Sequence, residues 1–145
     1  MPSGPFETSS EFGARAAERL RTEKAIWLTS VAPDGTPQPN PVWFTWDGET
    51  VLVYSHNKAA RLRNLAANPR VALNFDTADR GQADVEVITG TARIAADEPP
   101  VTECEAYLAK YAEAIRAELG SSLEEYAGTY SVAIRITPER LRGFK

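Results

Sequence analysis

The stretch AIWLTSVAPDGTPQPNPVWFTWDGETVLVYS, residues 25–55, decides the fold class. Its opening run, Ala25 to Ala32, is rich in β-branched and aromatic side chains and reads as a strand. Pro33-Asp34-Gly35-Thr36 ends it with the residues that a tight turn uses. Pro39 to Trp46 resumes as a second strand, and Asp47-Gly48 is the strongest short hairpin signal in the chain. It leads into a third strand, Thr50 to Ser55. Three strands with such short connections are expected to form an antiparallel meander.

On the N-terminal side, Glu11 to Glu23 sets Phe12, Ala16 and Leu20 at four-residue steps between charged residues, the pattern of an amphipathic helix weakened by Gly13. Residues 1–10, with Pro2, Pro5 and several serines, read as a disordered leader. They hold neither a basic nor an apolar targeting region. Beyond Ser55, the residues Leu62, Leu65 and Ala66 recur at helical spacing; Asn57 is a candidate cap, and Asn68-Pro69 stops the helix. Val71 to Asp76 is a fourth strand, Thr77 to Ala83 a polar loop, and Asp84 to Ala95 a fifth strand. The apolar phase of that fifth strand slips at Gly90, which predicts a bulge. Pro99-Pro100 opens a helix, with Thr102 as an alternative cap, that carries Cys104, Tyr107, Leu108, Tyr111, Ile115 and Leu119 on one stripe. Gly120-Ser121-Ser122 breaks it before a short helical turn, Leu123 to Ala127. Thr129 to Thr137 alternates as the last strand. Six antiparallel strands are too many for one flat sheet, so the expected fold is mainly β: a small barrel with flanking helices, spanning residues 11–145 as one domain.

Composition narrows the chemistry. One Cys and one His in 145 residues leave no ligand set for a zinc ribbon, an iron–sulfur cluster or a His-rich metal centre. They also leave no intrachain disulfide, which fits a reducing cytoplasm. A formal charge of −4 opposes nucleic-acid binding, which needs a concentrated basic face. No apolar run approaches the ~18 residues of a membrane span. Cys104 reads as an inert thiol on an apolar stripe, and Glu98, Glu103 and Glu105 as favourable charges at a helix start.

The segment Ser55-His56-Asn57-Lys58-Ala59-Ala60-Arg61-Leu62-Arg63-Asn64-Leu65 is where a binding site is most legible. At about 100° per residue, Lys58 and Arg61 lie on or near the apolar side of the expected helix and in its first turn. A helix start favours an anion there, so two cations beside backbone N–H groups and the Ser55 hydroxyl make a phosphate pocket. The competing reading has both cations reaching solvent or pairing with carboxylates. His56 reads either as a general acid or as a hydrogen-bonding group beside a turn.

The ordered set of Ala25 to Pro37, Pro41-Val42-Trp43-Phe44, Ser55-His56-Asn57-Lys58, Arg61-Leu62-Arg63-Asn64-Leu65, Asn68-Pro69-Arg70-Val71 and Val87-Ile88-Thr89-Gly90-Thr91-Ala92 resembles the pyridoxamine 5'-phosphate oxidase-like proteins. It is most similar to their actinobacterial coenzyme F420-dependent reductase branch. The resemblance covers residues 23–144 and implies a six-stranded antiparallel split β-barrel of the FMN-binding type. It implies a homodimer with two cofactor grooves along the interface, acting on a small-molecule substrate without nucleic acid or membrane. Val42, Trp43 and Phe44 would lie along the tricyclic ring through their backbone, and Ser55, Asn57, Lys58 and Arg61 would hold the cofactor phosphate. Arg63, Arg70 or Arg80 would meet an extended anionic tail. The Gln that related flavin oxidases carry before the matched Gly is absent from Val85-Glu86-Val87, which favours deazaflavin over FMN and pyridoxine-phosphate oxidation. The implied activity is hydride transfer from reduced coenzyme F420 to a small organic acceptor. FMN in the same fold, or a non-catalytic cofactor-binding protein, are the alternatives.

Overall fold

Strand β1, Ala25–Val31, and strand β2, Pro37–Trp43, form the expected antiparallel pair, with Ala25 opposite Trp43 and Val31 opposite Pro37. The computed structural model describes residues 10–76 and 85–144. Thus the leader, apart from Ser10, and the loop Thr77 to Ala83 lie outside the described residues. The turn between β1 and β2 closes with Gly35 at φ +89° and the Asp34 carboxylate accepting from the Thr36 N–H at 3.0 Å.

The residues read as one strand from Pro39 to Trp46 are two. Phe44 leaves the ladder, and Thr45–Trp46 forms a separate strand, β3, paired with β4, Val51–Ser55. The cause is a pair of distant side chains: the Phe44 N–H donates to the Tyr111 hydroxyl at 2.8 Å, and its carbonyl accepts from Lys110 Nζ at 2.9 Å. Side chains have taken the backbone groups that a continuous strand would pair. With β5 Arg70–Asn74, β6 Val85–Ile94 and β7 Val132–Phe144, the sheet order is β2-β1-β5-β6-β7-β4-β3. At Phe44 the chain therefore crosses from one edge of the sheet to the other. The result is an antiparallel sheet curled into a half-barrel, with seven strands among the described residues where six were expected, and no meander through the first three.

Two apolar clusters hold it. Inside the curl, Ile26, Leu28, Val42, Phe44, Val51, Val53, Leu73, Ile88, Ile134 and Ile136 are buried. Outside it, helix α3 (Glu105–Ala117) and helix α4 (Leu123–Thr129) place Tyr107, Tyr111, Ile115 and Tyr126 over Leu52, Tyr54 and Ala133. Strand β4 is consequently buried on both faces. Helix α1, Glu11–Thr22, is capped by the Ser10 hydroxyl and buries Ala16 and Leu20 as its spacing predicts.

The bulge at Gly90 is present: Thr89 faces Arg140 while Gly90 faces Pro138. A Cβ on Gly90 would come within 2.1 Å of the Thr137 carbonyl oxygen, so glycine is required by close approach of β7. Three elements differ from expectation in their bounds. Strand β7 runs to Phe144, because its second half pairs with β6, and it starts after Thr129, which closes α4. The helix expected from Pro99 is a 3₁₀ turn, Val101–Glu103, a break at Cys104, and then α3; Leu119 lies beyond it and is exposed. Helix α2 spans Arg61–Ala67 and follows Ala60 without a side-chain cap, so Asn57 is not its cap.

Candidate functional site

Alternation at the end of β2 turns Val42 into the half-barrel and Trp43 outward. The Trp43 indole stacks on Tyr111 with ring centroids 4.5 Å apart and planes within 3°. It lies 6.0 Å from Tyr126, which stacks on Tyr130 at 4.4 Å. Tyr130 in turn meets the His56 imidazole edge-on at 5.6 Å. Aromatic pairs of this kind each add about 0.5–1.5 kcal/mol beyond area burial, so the wall is rigid. Val42, Trp43, Tyr54, His56, Arg61, Tyr126 and Tyr130 are among the residues lining a groove of about 410 Å³.

Arg61 is the cation of this groove. It is half-buried, and desolvation pulls its guanidinium below the ordinary arginine value, with Tyr130 partly opposing. Its Nη1 donates to the Ser55 hydroxyl at 2.9 Å, and no carboxylate pairs with it among the described residues. Ser55 is buried, and its hydroxyl donates to the His56 carbonyl at 3.1 Å. The serine therefore sits behind Arg61 and fixes it. His56 Nδ1 accepts from the Lys58 backbone N–H at 3.1 Å.

Of the residues expected to bind a cofactor, Val42, Trp43 and Arg61 meet in the groove, and Ser55 supports Arg61. Asn57 and Lys58 stand on the exposed turn before α2, not on its first turn. Asn57 is tied to α4 by its side chain on the Gly128 carbonyl, 3.2 Å, and its N–H on the Thr129 carbonyl, 2.9 Å. Phe44 lies apart: its ring is in the barrel core and its backbone is bonded to Tyr111 and Lys110, so it has no free strand edge for a ring. Arg63 is exposed, Arg70 pairs with Glu139 at 3.3 Å, and Arg80 lies outside the described residues.

The tyrosines were missed as site residues. Tyr126 and Tyr130 are four residues apart, a spacing that puts both on one face of a helix, but the segment reads as only a short turn. Burial raises the hydroxyls of Tyr54, Tyr107 and Tyr111, and pushes Tyr126 up to about 12, so they are neutral donors near pH 7. A second missed feature is an ion pair outside the groove. Arg19 and Glu86, 2% and 1% exposed, meet at 2.6 Å, and Arg19 also donates to the Asp76 carbonyl and lies 4.7 Å over Phe75. Glu86 thus ties β6 to α1. Among the described residues no cluster of His, Cys, Asp or Glu could hold a metal ion, and no helix is long and apolar enough to cross a membrane.

Comparison with known proteins agrees with this architecture. The family model described as pyridoxamine 5'-phosphate oxidase matches residues 12–145. A pyridoxine/pyridoxamine 5'-phosphate oxidase of Rhodopseudomonas palustris (strain BisB5) is 38% identical over 73 residues, which are 49% of this chain and 34% of that protein. The match therefore spans about a third of that relative's length. A solved F420 reductase is 27% identical, with a TM-score of 0.61 over 86% of this chain and 94% of its own. HutZ, a heme storage protein from Vibrio cholerae, is 19% identical with a TM-score of 0.62, covering 92% of this chain and 95% of its own, a likeness of fold alone.

Proposed function

The chain belongs to the pyridoxamine 5'-phosphate oxidase family, and on that premise we propose that it is an oxidoreductase that takes reduced coenzyme F420 in the groove between Trp43 and Arg61 and passes hydride to a small organic acceptor. One observation carries the reading: a flat aromatic wall and a half-buried guanidinium without a carboxylate partner share one groove. A planar tricycle needs such a wall, and a phosphate needs a cation not already neutralised. The groove's volume lies within the roughly 300–1,000 Å³ of small-molecule sites.

Bound there, a reduced deazaflavin supplies hydride to a polarised double bond. The chain's own residues supply placement. Trp43, Tyr126 and Tyr130 set the plane of the ring and exclude water from one side, while Arg61, held by Ser55, anchors the phosphate. FMN is the second reading, favoured because among the described residues a single half-buried guanidinium lines the groove, which matches one phosphomonoester.

The other wall of the groove belongs, in this reading, to a second copy of the chain. Pro41 lines the groove and lies opposite Trp27 on β1. From Trp27 a row of partly exposed residues runs across the sheet through Asn74, Val87 and Arg142, on a face where the ladder is solvated. A homodimer through that face would close the groove from outside. Light scattering at micromolar concentration is expected to give twice the 15.9 kDa chain mass, and a monomer would remove the shared wall. The activity is tested by anaerobic incubation with reduced F420 and a panel of α,β-unsaturated ketones. Acceptor-dependent oxidation of F420 supports the proposal, whereas binding without turnover of any acceptor marks a carrier instead.

A further inference from the structure

We propose that His56 is a fixed Nε2–H donor that pairs with Arg61 to grip one phosphate-type oxyanion in the groove, an assignment that rests on the cofactor reading above and extends it to a second anchoring residue. Three observations place it. The imidazole lines the groove, and its Nδ1 is already an acceptor, for the Lys58 N–H at 3.1 Å. A neutral imidazole with an accepting Nδ1 carries its hydrogen on Nε2, and Nε2 has no partner among the described residues. The Tyr130 ring, edge-on at 5.6 Å, leaves the imidazole little freedom to turn.

The pairing with Arg61 follows from shared anchors. The Ser55 hydroxyl receives Arg61 Nη1 and donates to the His56 carbonyl, so the guanidinium is held against the residue that precedes the imidazole. Tyr130 joins the two ends: it packs edge-on against His56 and lines the groove beside Arg61. Guanidinium and Nε2–H thus supply donors of different shape at one end of an aromatic groove. A phosphate accepts from both with charge assistance, a neutral carbonyl accepts more weakly, and an ammonium, being only a donor, cannot use the pair.

The same geometry disfavours a metal ligand at this position. Ligation through Nε2 would move the hydrogen to Nδ1, where it would oppose the Lys58 N–H. His56 therefore serves as an anion-binding donor.

The single histidine makes the test direct. In ¹⁵N-labelled full-length protein the only imidazole pattern is that of His56. The free protein is expected to show the Nε2–H tautomer, and the Nε2 signal to move on adding FMN or inorganic phosphate but not riboflavin, which lacks the phosphate. His56→Gln, which keeps a donor, is expected to bind FMN within a few-fold of the parent, and His56→Leu roughly ten- to a hundred-fold more weakly. A Nδ1–H tautomer in the free protein overturns the inference, as does an Nε2 signal unmoved by FMN, F420 and phosphate alike. If phosphate moves Nε2 while neither cofactor binds, the donor pair stands and the cofactor reading falls.

Discussion

A guanidinium without a carboxylate partner, half out of water and bonded only to a serine, is a cost that a purely structural role does not explain for Arg61. Arg61→Ala is expected to weaken cofactor binding roughly ten- to a hundred-fold, the contribution of one charge-assisted bond, with no loss of stability in urea. Lys58→Ala, on the exposed turn, should change it by only a few-fold. The Arg19–Glu86 pair behaves oppositely. Glu86→Leu alone should destabilise by about 1–3 kcal/mol in urea titration, and the double variant with Arg19→Met should recover part of that, because a buried guanidinium still bonded to Glu23 and the Asp76 carbonyl has lost its most buried partner. The hydroxyls of Tyr107 and Tyr126, 2.7 Å apart, give a pH signature. Both titrate higher in the folded chain than the ordinary tyrosine value near 10, with Tyr126 at about 12. Above pH 10 the unfolded chain releases protons first, so stability falls between pH 10 and 12. Tyr126→Phe should flatten that fall by about 1 kcal/mol per pH unit. Sequence spacing identified Arg61 but not these pairs, since Arg19 and Glu86 are 67 positions apart and nothing local joins them.

Elements whose signal is local were legible: the amphipathic stripe of α1, the turn at Asp34-Gly35, the stop at Asn68-Pro69 and the slip at Gly90 all correspond to observed features. The bulge allows a quantitative check. Gly90→Ala puts a methyl group against the Thr137 carbonyl, so it should destabilise by about 2–4 kcal/mol, read as a lowered urea midpoint with an unchanged slope. Elements decided by distant partners were not legible. Nothing in Val42-Trp43-Phe44-Thr45-Trp46 signals a break, and only Tyr111 and Lys110, from a helix far along the chain, reveal that Phe44 is a corner. The second half of β7 is similar: Glu139 to Gly143 looks like a charged tail until β6 is seen to pair with it. Asn57 has the residue type of a cap, yet α4 claims it first.

For the whole molecule, the arithmetic of one His and one Cys in 145 residues is consistent with a domain that contributes a surface and borrows its reactivity. The corner at Phe44 curls the sheet, the curl brings the end of β2 beside the end of β4, and α4 lays Tyr126 and Tyr130 over the junction. The groove is a product of that topology, and it lies within the residues 12–145 that the family match covers. On the proposed reading this groove holds a phosphate-bearing tricycle against Trp43. Titration of the protein with coenzyme F420 and with FMN, followed by quenching of tryptophan fluorescence, tests it most directly. Saturable quenching by F420 in the micromolar range, lost in Arg61→Ala, is the predicted result; no quenching by either cofactor at tens of micromolar would contradict it.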